Sequence, residues 1–457
     1  MKNSAKIKIL SLFFLFTLLL TTGFGCRLVP KGVKEATKPI KLVYWRVWDD
    51  QSSMNDIISA YRQFHPYVEI VYRQVRYEEY EDALKEAWLR DEGPDIFSLP
   101  NTWLRKYQDL LLPLPEKITL PYISVKKTLW RKETVITLKT EKTLTLKRLK
   151  ENFVDTVYKD VVIGDKIYSL PYSLDTLVLF YNRDLLNNAL IPFPPKTWEE
   201  FKEQVKKMTL QDEKGNIVQA GAALGTAENI VRSTDILSLL MMQNGTRMVD
   251  ENGLASFHLP SKGEEDYFPG EDALRFYTDF SNPSREVFTW NEKMPQNLEA
   301  FCQGKLAFFF GYSYHLGLIQ TQAPKLNFGI ASIPQLSGAL KEVNYAHYWT
   351  EVVYYKTKHV NEAWKFLQFA SSEKQVKKYL EKTKRPTALR ALINQQLEDY
   401  DLEIFARQVL TARSWYRGRN FEAVEDVFKE MINSVIRGYL DYKEAIKQAA
   451  MRVNQTI

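Results

Sequence analysis

Lys41-Leu42-Val43-Tyr44-Trp45-Arg46-Val47 opens the stretch that decides the fold, followed by Asp49-Asp50-Gln51-Ser52-Ser53 and by Met54, Ile57, Ile58, Tyr61 and Phe64. The first run predicts a strand, the acidic and hydroxyl residues a loop and helix cap, and the apolar residues then recur at helical spacing. His65-Pro66 stops that helix. Val68, Ile70 and Tyr72 alternate as a second strand, Tyr80, Leu84 and Trp88 mark a second amphipathic helix, and Gly93-Pro94-Asp95 turns into Ile96-Phe97-Ser98-Leu99. Strand, helix, strand, helix, strand with short links predicts an α/β fold with a mostly parallel sheet covered on both faces. Ligands of such sheets bind beyond the carboxyl ends of the strands, here Trp48-Asp49-Asp50 and Pro100-Asn101-Thr102-Trp103.

Upstream, Lys2, Lys6 and Lys8 precede an uncharged apolar run from Ile9 to Phe24 that ends in Gly23-Phe24-Gly25 before Cys26. The run is shorter than the roughly 20 apolar residues of a membrane span and has the layout of a secretory signal, so residues 1–25 are expected to be cleaved. Gly25-Cys26 fits acylation of Cys26, a membrane anchor; ordinary cleavage at the small residues would instead release a soluble protein. Residues 26–39 are a polar tether.

Cys302 is the other cysteine, so disulfides do not hold the fold, and a hydrophobic content of 45% supplies the core instead. The net charge is +6, of which the signal lysines carry three. Residues 116–150 hold ten Lys/Arg and three acids, leaving the rest of the mature chain near −4. That excludes a global basic field for nucleic acid. In the same segment Thr143, Thr145 and Lys147 alternate with Leu144 and Leu146, which predicts an added β-hairpin. Its lysines read either as protection of a strand edge or as a basic patch for anionic cell-surface polymer, lipid headgroups or a partner protein.

Gly164-Asp165 joins Val161-Val162-Ile163 to Lys166-Ile167-Tyr168 as a tight hairpin. Thr197 and Glu200 form a capping box that opens a helix with Phe201, Val205 and Met208 on its buried face. Together with Gly93-Pro94-Asp95-Ile96, the segment Gly164 to Pro171, Phe180-Tyr181-Asn182-Arg183-Asp184, Pro194 to Trp198, Phe301-Cys302-Gln303-Gly304-Lys305-Leu306-Ala307, Gly329 to Pro334 and Asn361 to Leu367, this order of phrases resembles the extracellular solute-binding proteins of the sugar-binding type 1 group. The insertion at 116–150 departs from that pattern.

The resemblance implies a two-lobed periplasmic-binding-protein type II fold with a hinged cleft, serving an ABC importer as a monomeric, extracellular or membrane-anchored capture protein. Lobe 1 would hold residues 40–174 plus 305–350, and lobe 2 residues 175–304 plus 351–457. It implies ligand contacts at Trp48, Asp49, Asn101, Trp103, Asp175, Tyr312, Tyr314, Tyr348, Trp349, Trp415, Tyr416 and Arg417. A sugar offers apolar CH faces and a ring of hydroxyls, which call for aromatic platforms and a few polar partners. Trp48 and Trp103 read equally as platform or core, and Asp49 as a ligand contact or a helix cap. Tyr348 and Trp349, being adjacent, would face opposite ways if extended, so one of them at most is expected to meet ligand.

Catalytic patterns are few. The five histidines are never closer than twelve residues, so no local zinc motif exists. Gly311-Tyr312-Ser313-Tyr314-His315 lacks the second glycine of a nucleophile elbow, and Gly221-Ala222-Ala223-Leu224-Gly225 has the wrong spacing for a dinucleotide or phosphate loop. Asp212 to Asn216 reads as a turn rather than a calcium loop. No cofactor or metal is expected. A secreted glycoside hydrolase, which needs two carboxylates at fixed separation, and a binding protein for a sensor stay as alternatives.

Overall fold

The computed structural model describes residues 37–127 and 132–457; the signal segment, Cys26 and most of the tether lie outside them. Strand Ile40–Arg46 pairs in parallel with Val68–Gln74, from Ile40↔Val68 to Arg46↔Gln74, and on its other side with Ile96–Pro100. Trp349–Val353 adds antiparallel to Ile96–Pro100, and Ser169–Leu170 closes the sheet. Ile96–Pro100 sits in the middle and is buried along its whole length, which is why it reads as an unbroken apolar run. Helix Gln51–Phe64 buries Met54, Ile57 and Tyr61 on this sheet, while helix Tyr77–Leu89 buries Tyr80, Leu84 and Trp88. Gly93 is needed where the chain leaves that second helix, because a Cβ there would lie 2.3 Å from Cδ1 of Trp88.

A second sheet runs in the order Leu210–Gln211, Ile217–Ala222, Leu306–Gly311, Val178–Asn182, Phe328–Ala331. Its central strand, Leu306–Gly311, is fully buried, parallel to Ile217–Ala222 and antiparallel to Val178–Asn182. The capping helix Trp198–Met208 covers this sheet with Trp198, Phe201, Val205 and Met208. Thr197 accepts from the Glu200 amide as expected, but the Glu200 carboxylate reaches one residue further back, to the Lys196 amide at 2.8 Å.

The pairing corrects the lobe boundaries. Residues 306–311 and 328–331, expected in lobe 1, belong to the second sheet, and only 349–353 joins the first. Residues 351–457, expected whole in lobe 2, divide as well. Helices Val360–Ala370 and Glu373–Thr383 pack on lobe 1, where Tyr61 donates to the Glu362 carbonyl and Arg46 to the Tyr379 hydroxyl. Helices Phe421–Ile436 and Tyr442–Asn454 pack on lobe 2 through Phe428 against Phe257 and Asn454 against the Ala255 amide. The lobes are joined by a three-stranded sheet of Asp175–Thr176, Asn344–His347 and Ala412–Arg413, one strand from each crossing.

The Gly164-Asp165 hairpin is present, with φ of 53° and 59° in the left-handed region that a two-residue turn of this hand requires. The inserted ribbon is also present, but its strands are Lys117–Lys127 and Lys132–Lys142. The Thr143 to Lys147 alternation lies beyond them: Thr145 caps helix Leu146–Asn152 by accepting from the Arg148 amide.

Candidate functional site

Between the lobes lies a cavity of about 400 Å³, within the range of small-molecule sites. Its lobe 1 wall follows from the strand ends: Trp48 comes two residues after Ile40–Arg46, Thr102 and Trp103 form a short turn after Ile96–Pro100, and Trp349 begins the antiparallel strand beside it. Trp48 stacks on Tyr77 with centroids 5.2 Å apart and planes 22° apart, and Trp349 meets both edge-on at 6.0 and 6.2 Å. Trp48 is 50% and Tyr77 48% exposed, so this stack is a platform presented to solvent rather than core. Trp103 also lines the cavity but is buried, with Lys106 4.6 Å over its ring.

The opposite wall is polar. Arg232, the N-cap of helix Ser233–Gln243, sits at φ 73°, a left-handed conformation uncommon for a side chain of its size. Its guanidinium lies 5.5 Å from the Tyr312 ring centroid and 3.4 Å from the Tyr314 hydroxyl. Tyr312 in turn donates to buried Asp235 at 2.8 Å. Helix Phe421–Ile436 adds Glu422 and Glu425, one turn apart on the cavity side. Glu422 Oε2 takes Lys106 of lobe 1 at 3.3 Å, an ion pair across the cleft, while its Oε1 is buried without a hydrogen-bond partner. Burial, with Asp235 nearby, pushes Glu425 up to about 7 against the opposing pull of Arg232. His347 is driven down to about 3 by burial and then by Arg232, so it is neutral here.

Asp175 lies at the hinge, paired in register with His347. Its carboxylate accepts from the Ser313 amide at 3.0 Å, the Ser313 hydroxyl at 2.6 Å and the Thr176 amide at 2.9 Å, which fastens helix Ser313–Gln322 to the crossing strand. Burial pushes it up to about 6, with those hydrogen bonds opposing the rise.

Seven of the expected contacts therefore line one cavity: Trp48, Trp103, Asp175, Tyr312, Tyr314, Tyr348 and Trp349. Tyr348 and Trp349 both border it, although they diverge, since the Tyr348 hydroxyl turns to Asp160 at 2.9 Å. Asp49, Asn101, Trp415, Tyr416 and Arg417 do not line it, and each is held elsewhere. Asp49 is buried between Arg46 at 3.0 Å, Arg385 at 2.9 Å and the Tyr379 hydroxyl at 2.8 Å; the helix cap is Asp50. Asn101 and Arg417 both donate to Asp160, at 3.2 and 2.9 Å. Trp415 is core, stacked on Phe428 and donating to Ser238, and Tyr416 bonds to Thr456. Tyr77, Arg232, Arg385, Glu422 and Glu425 line the cavity without having stood out in sequence. Among the described residues no cluster of His, Cys, Asp or Glu is arranged to hold a metal ion.

The family model for bacterial extracellular solute-binding proteins matches residues 47–377, well over half the chain. The chain belongs to that family. The galactooligosaccharide-binding protein of Bacillus subtilis (strain 168) is 21% identical to this solute-binding protein over 425 residues, covering 92% of this chain and 90% of that one. The fold is shared with the cyclic alpha-maltosyl-1,6-maltose binding protein from Arthrobacter globiformis (TM-score 0.71, 19% identity, 92% of this chain and 99% of that one). It is shared as well with an ABC transporter solute-binding protein from Thermotoga lettingae TMO bound with alpha-D-tagatose (TM-score 0.65, 20% identity, 91% and 99%).

Proposed function

We propose that this chain is the capture component of an ABC importer and binds a carbohydrate between its lobes without transforming it. The observation that carries this reading is the half-exposed Trp48–Tyr77 stack facing Arg232, Glu422 and Glu425 across a single cavity. Aromatic faces receive the apolar CH side of a pyranose, and an orphaned carboxylate oxygen and a guanidinium accept from and donate to its hydroxyls. The Lys106–Glu422 pair and the Asp175–Ser313 fastening lie where hinge rotation would open and close the cleft. Export by the N-terminal signal and acylation of Cys26 belong to the same reading, and mass spectrometry of the membrane-extracted protein tests the acylation.

A thermal-shift screen of mono- and oligosaccharides, with product analysis of the same mixtures, tests the capture. A ligand at 100 times its dissociation constant adds about 2.7 kcal/mol of stability. A shift with the saccharide recovered intact is the expected result. Shifts only with non-carbohydrate solutes, or a saccharide cleaved, would refute it.

A further inference from the structure

The ribbon Lys117–Lys127 with Lys132–Lys142 takes no part in the cleft, and no other strand among the described residues pairs with it. Its register sets Lys117 opposite Lys142. Like charges placed directly opposite destabilise a ribbon, and shielding a strand edge requires a lysine on it, not opposed pairs. Lys117, Lys139 and Lys142 are exposed, and Lys147, Arg148 and Lys150 continue the charge onto the next helix. Residues 116–150 thus concentrate a net +7 while the rest of the mature chain is near −4.

The root of the ribbon sits where the tether enters lobe 1. The Ile40 amide donates to the Tyr67 carbonyl, the His65 ring lies 6.0 Å from Tyr67 and 5.0 Å from Tyr122 of the ribbon, and Asn361 donates to the Thr119 carbonyl. From Ile40 the first strand runs about 20 Å to the cleft end at Trp48. Cys26 is fourteen residues before Ile40, a reach of at most about 50 Å.

We propose that this ribbon docks on an anionic lipid bilayer, holding the first lobe to the membrane by the end opposite its cleft. A polybasic patch adds a second, electrostatic contact to a lipid anchor. The inference rests on the export and anchoring of the proposed function, while its test uses neither the ligand nor the acylation, so its failure and that of the capture reading are distinguishable.

The chain from residue 27 onward, which holds every described element, is co-sedimented in 0.1 M salt with vesicles of phosphatidylcholine alone or with 30 mol% phosphatidylglycerol added. Binding to the anionic vesicles only is expected. Removing one surface lysine should cost about five-fold in partitioning, so Lys117→Gln/Lys139→Gln/Lys142→Gln should lose roughly 100-fold. Lys196→Gln/Lys207→Gln/Lys214→Gln, an equal charge change at exposed sites on lobe 2, should leave binding unchanged. The triple arginine variant at 117, 139 and 142 should retain it, which separates loss of charge from loss of folding. Equal loss in both glutamine triples, no binding to anionic vesicles, or binding to a soluble poly(glycerol phosphate) but not to vesicles would overturn the proposal.

Discussion

Two sets of carboxylates lie around the same cleft, and they are satisfied to very different degrees. Behind the cavity lining, Asp160 receives Asn101, Tyr348, Ser414 and Arg417, and Asp49 receives Arg46, Arg385 and Tyr379. On the lobe 2 wall, Glu422 keeps one oxygen without a partner, and burial holds Glu425 at about 7. Saturated acids tie chain crossings together; unsaturated ones have hydrogen-bonding capacity left for a solute. The same split separates the aromatics, with Trp415 packed in the core and Trp48 standing half in water.

The largest effect is expected where saturation is removed. Asp160→Ala leaves four donors around a cavity and should cost about 3 kcal/mol, near the lower end of the range for a broken buried pair because Arg417 can still reach water. Urea unfolding measures it, and the matching change on the wall, Glu422→Gln, should stay within about 1 kcal/mol. Next comes the pH dependence. Glu425 binds its proton more tightly folded than unfolded, about 7 against an ordinary value near 4.5, so its contribution is complete below pH 4.5 and is lost as pH rises through 7. Asp175 acts in the same direction over a lower window, ending near pH 6. Buried His347, held near 3, acts in the opposite direction over the same window, so the effect is read as a difference: the unfolding free energy of the wild type relative to Glu425→Gln should fall by on the order of 2 kcal/mol between pH 4.5 and 7.

Much of this division was legible in the sequence, and the remainder was not, for identifiable reasons. Residues 40–99 read correctly because their apolar positions follow one period at a time and each link is short. Partner choice is another matter: Leu306–Gly311 is apolar throughout, and nothing in such a run says which sheet it enters. Asp49 and Asp50 are neighbours of the same type, yet one is an internal ion and the other a cap, a difference decided by Arg385 and Tyr379 more than 300 residues away. Arg232 went unnoticed because its left-handed backbone carries no glycine or asparagine to mark it. Glu422 and Glu425 resemble the solvated face of an amphipathic helix, and only the apposition of the lobes gives them a cavity.

Two smaller effects sharpen the comparison on the solute side. Trp48→Ala should weaken saccharide binding by about 10-fold or more, the worth of an aromatic platform, while changing unfolding by less than about 0.5 kcal/mol because the ring is half exposed. Lys106→Met removes the pair that bridges the lobes. Since Lys106 is 22% and Glu422 41% exposed, it should shift the open–closed balance by under about 1 kcal/mol, visible as a small rise in the radius of gyration by solution scattering.

Calorimetric titration of the wild-type chain, Trp48→Ala and Glu425→Gln with the saccharide that gives the largest thermal shift bears most directly on capture in this cleft. The expected result is one saturable site in the wild type, weakened at least about 10-fold in each variant, with the unfolding free energy of Trp48→Ala in urea within about 0.5 kcal/mol of wild type. Wild-type affinity in both variants would place the ligand elsewhere and contradict it.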